Sequence, residues 1–324
     1  MMRAIVQSRY GTDPDAVLEL AEVPKPTIDA DHVLVRVVAA SVDLGTWHCM
    51  TGMPYAMRMM GFGARAPKAT NPGRCLAGIV EATHDSTGFD VGDEVYGTCD
   101  GSFAEYALVK TSMVAPKPGN LSFEQAATAP ISAVTALQAV RKAGVKAGQR
   151  VLVLGASGGV GTFAVQIAKA NGATVTGVCS TAKMDLVRSL GADEVIDYTQ
   201  HDVTDGEQQY DVILDIGGSR RLSHLRRALT PDGTLVIVGG ETGGRWIGGF
   251  DRSLRAVLLS PFVGQSLGML ASKENAEDLR AVAALIESGQ VTPAVDRSYP
   301  LAETPAAIRH VSEGRARGKV VITV

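Results

Sequence analysis

The chain has 324 residues, 45% of them hydrophobic and 20% charged, with 36 glycines and a formal net charge of −3. That length exceeds one ordinary domain and accommodates two, and the composition is that of a globular protein with many tight turns. The slight negative balance excludes a general attraction to nucleic acid or anionic lipid, so any anion site must be local.

The opening MMRAIVQSRYG lacks the long apolar core of a secretory signal. The first third then reads as β-rich: HVLVRVVAASV is a strongly β-branched run, and GIVEA, DEVYG and FAEYALV follow between Gly, Pro and Asp turn signals. Composition shifts near residues 116–125, the best place for a domain boundary. From Val151 the rhythm becomes strand then helix. VLVL precedes VGTFAVQIAKA, TVTGV precedes AKMDLVRSL, DVILD precedes SRRLSHLRRAL, and TLVIV closes the series. Strands spaced by helical crossovers imply βαβ units and a parallel sheet. The run AVLLSPFVGQSLGML is broken by Pro261, Gly264, Gln265 and Gly268 and makes a poor membrane span. In KENAEDLRAVAALIESG, the residues Leu279, Val282, Ala283 and Ile286 are spaced for one buried helical stripe. The tail reads as a short helix and a closing strand.

The turn Ala156-Ser157-Gly158-Gly159-Val160-Gly161 directly follows an apolar strand. Glycine permits backbone conformations and close phosphate approach that a Cβ obstructs. The next helix offers unpaired N–H groups and a positive dipole end to a pyrophosphate. Val160, Ala164, Ile167 and Ala168 give that helix an apolar face, and Gly172 is a suitable stop. Ala156 occupies the first glycine position of GxGxxG, so the turn departs from the strict pattern.

In such a unit the end of the second strand meets the adenosine ribose, where an Asp or Glu accepts from a free 2′-hydroxyl. Here that stretch is Val178-Cys179-Ser180-Thr181, without a carboxylate. Ser180 can donate to a phosphate oxygen and Lys183 supplies a positive charge. The pattern favours NADPH over NADH; the alternative for Lys183 is a solvated place on the next helix.

Taken in order, AASVDLGTWHCMTG, PGRCLAGIVEA, VGDEVYG, GSFAEYALV, GASGGVG, LGADEVIDY and GKVVITV resemble the medium-chain dehydrogenase/reductase superfamily, in its zinc-free quinone oxidoreductase branch. The resemblance covers almost the whole chain. It implies an α/β protein: a β-rich GroES-like catalytic domain over residues 1–120, a doubly wound Rossmann domain over 121–289, and a C-terminal return to the catalytic domain over 290–324. It places the active site in the cleft between them and implies a homodimer; the cytoplasmic location is expected instead from the scattered, unpaired cysteines. It assigns Ser180, Lys183 and Tyr198 to the 2′-phosphate, Thr135 to the nicotinamide ribose, and Gly239 and Gly240 to the loop passing the nicotinamide. It also puts Phe262 near cofactor and substrate and Lys319 near the cofactor; for Phe262 a core role is the alternative.

The zinc enzymes of this superfamily take their catalytic metal from a Cys and a His-Glu pair. Here Asp43 stands at the first position and Arg74-Cys75 at the second, so no metal is expected. His48 and Cys49 are adjacent, and on a strand such neighbours point opposite ways. The four cysteines, Cys49, Cys75, Cys99 and Cys179, form no CxxC pair and read as reduced thiols.

Without a metal, the expected reaction is hydride transfer from NADPH to a quinone or the β-carbon of an enone, with donor and acceptor held about 3–3.5 Å apart. Hydrogen-bond donors must then meet the charge that develops on the acceptor oxygen. Tyr55 is the preferred proton donor or substrate anchor and His48 the second, with a packed Tyr and a surface His as the alternatives. Asp43 stands where zinc-free relatives carry Asn, and an ionised carboxylate accepts rather than donates. The Met-rich tract MPYAMRMMGFGARAPK reads as a broad apolar pocket wall or as a packed loop or helix. Two rivals stay open: an enoyl-thioester reductase, and an NADPH-holding regulator without turnover.

Overall fold

A computed structural model of the chain describes residues 1–203, 208–218, 220–240 and 244–324. The chain forms two units. One comprises Met1–Val134, Glu274–Glu287 and Pro293–Val324, and the other Thr135–Lys273 with Ser288–Thr292.

The first unit opens with strand β1 (Met2–Gln7), helix α1 (Pro14–Val17) and β2 (Leu18–Val23), in which β1 and β2 pair antiparallel. There follow β3 (His32–Val42), α2 (Leu44–Thr51), the single turn α3 (Tyr55–Met57), β4 (Cys75–Ala82), β5 (Glu94–Thr98), β6 (Tyr106–Lys110), β7 (Val114–Pro116) and α4 (Phe123–Ala127). The β-branched run read from the sequence is the whole of β3. Its inward residues Val33, Val35, Val37 and Val42 join Leu76, Val95, Phe103 and Val109 in one core. Helix α2 starts at Asp43, whose carboxylate accepts from the Thr46 N–H while the Thr46 side chain reaches back, a capping box. It ends at Gly52 in the left-handed conformation (φ 61°). His48 and Cys49 therefore lie on a helix and not, as the sequence reading had it, on a strand.

Helix α5 (Pro130–Ala143) leads into the second unit, which contains β8 (Arg150–Leu154), α6 (Gly159–Ala170), β9 (Thr174–Cys179), α7 (Met184–Ser189), β10 (Glu194–Asp197), β11 (Tyr210–Asp215), α8 (Leu222–Ala228), β12 (Leu229–Ile237), α9 (Phe250–Leu259) and β13 (Ser266–Met269). Ser219, the first residue of the helical stretch read there from the sequence, lies outside the described residues. All six strands are parallel, in the order β10-β9-β8-β11-β12-β13. Numbered within the unit this is 3-2-1-4-5-6, the doubly wound arrangement with its topological switch between β8 and β11. The sheet is buried on both faces: Val151 to Leu154, Val212 to Leu214 and Leu235 to Ile237 are all covered.

The first unit is completed by α10 (Ala276–Glu287), β14 (Val295–Pro300), α11 (Thr304–Ser312) and β15 (Lys319–Thr323). In α10, Leu279, Val282 and Ile286 are buried and Ala283 is half-buried. The Tyr96 hydroxyl donates to the Leu279 carbonyl at 2.5 Å, tying α10 to β5. The main sheet runs β14-β15-β3-β4-β5-β7, with β6 also paired to β3. Strand β15 runs antiparallel to β3 with Val320 opposite Val42, and β4 does so with Cys75 opposite Ser41. One edge of the sheet thus gathers the residues just past these pairs.

Candidate active site and cofactor cradle

The second unit's candidate cradle lies at the switch point. Leaving β8, the chain turns at Gly155 (φ 79°), held by Gly155 and Ala156 N–H groups on the Val178 carbonyl at 3.2 and 3.0 Å. A Cβ on Gly155 would stand 3.0 Å from the Gly217 nitrogen, on the other side of the switch. A Cβ on Gly161 would stand 2.0 Å from the Gly155 carbonyl oxygen, so only glycine lets α6 start this close to the turn. Gly158 is the N-cap of α6 and supplies no side-chain acceptor. The helix's own first amide bond is Thr162 N–H to Gly158 O, which leaves the N–H groups of residues 159–161 without an intrahelical acceptor. Ala156, Ser157 and Gly161 are buried and Gly158, Gly159 and Val160 half-buried. This is the geometry that receives a pyrophosphate.

Strand β10 pairs with β9 so that Asp197 stands opposite Cys179, and the Tyr198 N–H donates to the Cys179 carbonyl at 3.1 Å. That register brings Ser180, Lys183 and Tyr198 to one end of two adjacent strands. Ser180 and Lys183 are half-buried and Tyr198 is exposed. Burial pushes the neighbouring Cys179 thiol up to about 11.

Farther along, Gly239 follows β12, and a Cβ there would meet the Ile216 carbonyl oxygen at 2.1 Å. The Gly240 carbonyl accepts from Gly249 N–H at 3.1 Å. Thr135 is 8% exposed, and its hydroxyl lies 3.1 Å from that of Ser272. Phe262 sits in a short 3₁₀ turn and is 82% exposed, so the core role weighed for it is not the one it plays.

A residue pair that the sequence reading did not single out organises this end of the sheet. Asp215, the last residue of β11, is fully buried and ion-paired to Arg252 of α9. The Asp215 carboxylate accepts from Gly218 N–H at 3.0 Å. Arg252 also donates to the Arg220 carbonyl at 2.9 Å and the Gly239 carbonyl at 3.3 Å. One guanidinium thus ties the segments after β11 and β12 together. Burial holds the Asp215 carboxyl above its ordinary range, with Arg252 pulling the other way.

In the first unit, the chemistry-bearing residues gather where β3, β15 and β4 meet. Continuing the register past Val320 and Val42 puts Lys319 beside Asp43. The Lys319 ammonium is 1% exposed, lies 3.9 Å from Asp43 Oδ2 and has no hydrogen-bond partner among the described residues. Cys75 Sγ is 3.9 Å from the same oxygen, and burial pushes its thiol up to about 11. Arg74, next in the chain, pairs with Glu274 at 3.1 Å. Cys49 is likewise pushed up to about 11 by burial. Two side-chain cations, Lys319 and Arg74, thus stand near Asp43 and Cys75. Among the described residues no three His, Cys, Asp or Glu side chains converge as a ligand group. The donor set does not fit zinc.

Tyr55 and His48 lie on the helical segments that follow Asp43 in the chain. His48 Nδ1 lies 2.7 Å from the Met53 carbonyl; since a carbonyl only accepts, Nδ1 carries the proton. Tyr55 is half-buried, with the Arg58 guanidinium 4.8 Å from its ring and 4.3 Å from that of Tyr10. Arg58 also donates to the Gly52 and Thr51 carbonyls at 2.9 and 3.1 Å, fixing the C-terminal end of α2. In the Met-rich tract, Met59 and Met60 are 84% and 78% exposed.

The chain matches the family profiles described as alcohol dehydrogenase GroES-like domain, over residues 29–119, and zinc-binding dehydrogenase, over residues 190–322. It is 34% identical to 2-methylene-furan-3-one reductase of Solanum lycopersicum, across 99% of this chain and 79% of that one. It is 33% identical to NADPH-dependent alkenal/one oxidoreductase, chloroplastic, of Arabidopsis thaliana, with the same coverage. Among solved structures it superposes on the quinone oxidoreductase from Coxiella burnetii with a TM-score of 0.86 at 26% identity, covering 100% of this chain and 99% of that one. With its doubly wound nucleotide unit and GroES-like unit, the chain belongs to the medium-chain dehydrogenase/reductase superfamily. Within it, the chain falls in the zinc-free quinone oxidoreductase branch, a family of nicotinamide-dependent oxidoreductases.

Proposed function

We propose that the protein is an NADPH-dependent, zinc-independent reductase of quinones or α,β-unsaturated carbonyls. The observation that carries this reading is the convergence of Ser180, Lys183 and Tyr198 beside a strand end without a free acid, next to the Gly155–Gly161 turn. The activity named for the alkenal/one oxidoreductase of Arabidopsis thaliana supports the same cofactor and acceptor class.

On this reading the amides at the start of α6 hold the pyrophosphate, and Ser180, Lys183 and Tyr198 hold the 2′-phosphate. Thr135, Gly239 and Gly240 line the nicotinamide side; Phe262, expected there too, precedes β13 and so lies at the opposite, amino-terminal end of the parallel strands. Bound there, NADPH supplies a hydride to the electron-poor carbon of the acceptor. Charge developing on the acceptor oxygen must meet donors already in place. Tyr55 is the assigned proton donor. His48, whose Nδ1 proton is engaged by Met53, presents an accepting Nε2 when neutral and donates there only as imidazolium. Lys319 contributes a fixed positive charge, and Asp43 acts as its counter-ion rather than as a proton donor.

A second copy of the chain completes the proposal. In α9, Phe250, Leu254, Val257 and Leu258 form an i, i+4, i+7, i+8 stripe that is 42–62% exposed, while Ser253 and Ala256 face inward. The stripe is near β13, one of the two edge strands of the parallel sheet, whose outer side pairs with no other strand among the described residues. An apolar stripe beside an open edge suits a homodimer interface. The four unbridged cysteines suit a reducing compartment such as the cytoplasm. No helix among the described residues is long and apolar enough to cross a membrane.

The test is NADPH oxidation with a quinone, a short enone and a short enoyl-CoA. Turnover of the first two supports the proposal. Turnover of the thioester alone would replace it with an enoyl-thioester reductase, and tight NADPH binding without oxidation of any acceptor would leave a regulator.

A further inference from the structure

The end of β9 lacks an acid, but the end of β10 carries one. Asp197 stands opposite Cys179 and is 6% exposed. Its carboxylate is already engaged from inside the chain. Oδ2 accepts from the Thr181 hydroxyl. Oδ1 accepts from the Thr199 hydroxyl at 2.7 Å and the Thr199 N–H at 2.9 Å. The two threonine hydroxyls lie 3.2 Å apart. Hydrogen bonds from Thr181 and then Thr199 hold this carboxyl below its ordinary range.

Thr181 is the first residue of the 3₁₀ turn Thr181–Lys183, whose N-cap is Ser180 and whose Lys183 N–H closes on the Ser180 carbonyl at 2.9 Å. Ser180 itself makes no side-chain cap. A side-chain link from this turn to β10 runs through Thr181 to Asp197. Three donors around one carboxylate also offset its charge and occupy most of its acceptor capacity.

We propose that Asp197, with Thr181 and Thr199, is a specificity-determining positioning group: it pins the turn that carries Ser180 and Lys183 for a 2′-phosphate, and withholds its own oxygens from a free ribose 2′-hydroxyl. This rests on the NADPH reading above. It accounts for an acid at the ribose end of the sheet in a chain that favours the phosphorylated cofactor. The acid is diverted inward rather than missing.

The experiment is calorimetric titration of wild type, Thr181→Val, Thr181→Ser and Thr199→Val with NADPH and with NADH, alongside thermal unfolding. Thr181→Val should weaken NADPH about tenfold, the scale of one lost charge-assisted hydrogen bond acting through position, and leave NADH unchanged or tighter. Thr181→Ser should restore the wild-type ratio, and Thr199→Val should shift it in the same direction by less. A merely structural role would lower the melting temperature and move both cofactors together. If wild type prefers NADPH and Thr181→Val keeps that ratio, the positioning proposal is overturned while the cofactor reading stands. A wild type that binds NADH as well as NADPH would remove both.

Discussion

Replacing Arg252 by Met tests whether the second unit's loops are held by a buried charge. The substitution roughly keeps the volume but leaves Asp215, fully buried at the end of β11, with the Gly218 N–H as the remaining partner of its side chain among the described residues. It also strips donors from the Arg220 and Gly239 carbonyls. Removing one member of a buried ion pair costs about 3–5 kcal/mol, since the remaining charge must be neutralised or rehydrated. For a cooperative unit of about 150–250 residues each kcal/mol lowers the melting temperature by about 2–4 °C, so a fall of about 6–20 °C is expected in the transition of the second unit. The double variant Asp215→Asn with Arg252→Met keeps the Gly218 acceptor and removes the stranded charge. It should regain at least about 1 kcal/mol relative to Arg252→Met, a coupling of the size adjacent charged partners show. Differential scanning fluorimetry and urea melts would measure both variants. An Arg252→Met protein within about 0.5 kcal/mol of wild type, the ordinary scatter of surface substitutions, would refute the claim that this guanidinium ties the β11 and β12 segments.

Gly161→Ala should abolish detectable NADPH binding while leaving the strands of both units intact by circular dichroism, because its Cβ meets backbone and not a movable side chain; retained binding would show that the turn is not the cradle. Asp43→Asn preserves the N-cap, since Asn caps as well as Asp, but it leaves the buried Lys319 ammonium without its counter-charge, so the melting temperature and kcat with an enone should both fall; a variant that matches wild type in both would contradict the pairing. Burial raises the thiols of Cys49, Cys75 and Cys179 from an ordinary value of 9.0 to about 11. The folded chain then binds more protons than the unfolded chain between these values, so stability is fully present below pH 9 and is lost as pH rises toward 11. Melting temperatures that stay level across that window would contradict the thiol assignments.

The parallel sheet was legible because its strands are buried on both faces and read as continuous apolar runs, from Val151 to Leu154 and from Val212 to Leu214. The glycine turn was legible for a related reason: Gly155 and Gly161 stand where a Cβ collides with backbone, a constraint local to a few residues. The pairs Lys319–Asp43 and Asp215–Arg252 were not legible as pairs. Each is made by strand register or by a helix returning across the sheet, over hundreds or tens of residues of sequence. The strand HVLVRVVAASV gave no warning that the chain turns helical at Asp43; the signal was there in Asp43 and Thr46, spaced as a capping box. Strands β1, β13 and β14 were passed over, being short or half-exposed. The amphipathic stripe of α10 told that the helix buries a face, but a stripe does not say against which body. For α9 the pattern ran the other way, its apolar face turned outward, which no periodicity can reveal.

The second unit's discrimination between the two nicotinamide nucleotides is the property from which the proposed chemistry follows. Calorimetric titration of wild type and Lys183→Ala with each should give tighter NADPH binding in wild type, reduced by about one to two decades in the variant, with NADH unchanged. Failure of wild type to retain NADPH at low salt, or a Lys183→Ala protein with an unaltered preference, would contradict it.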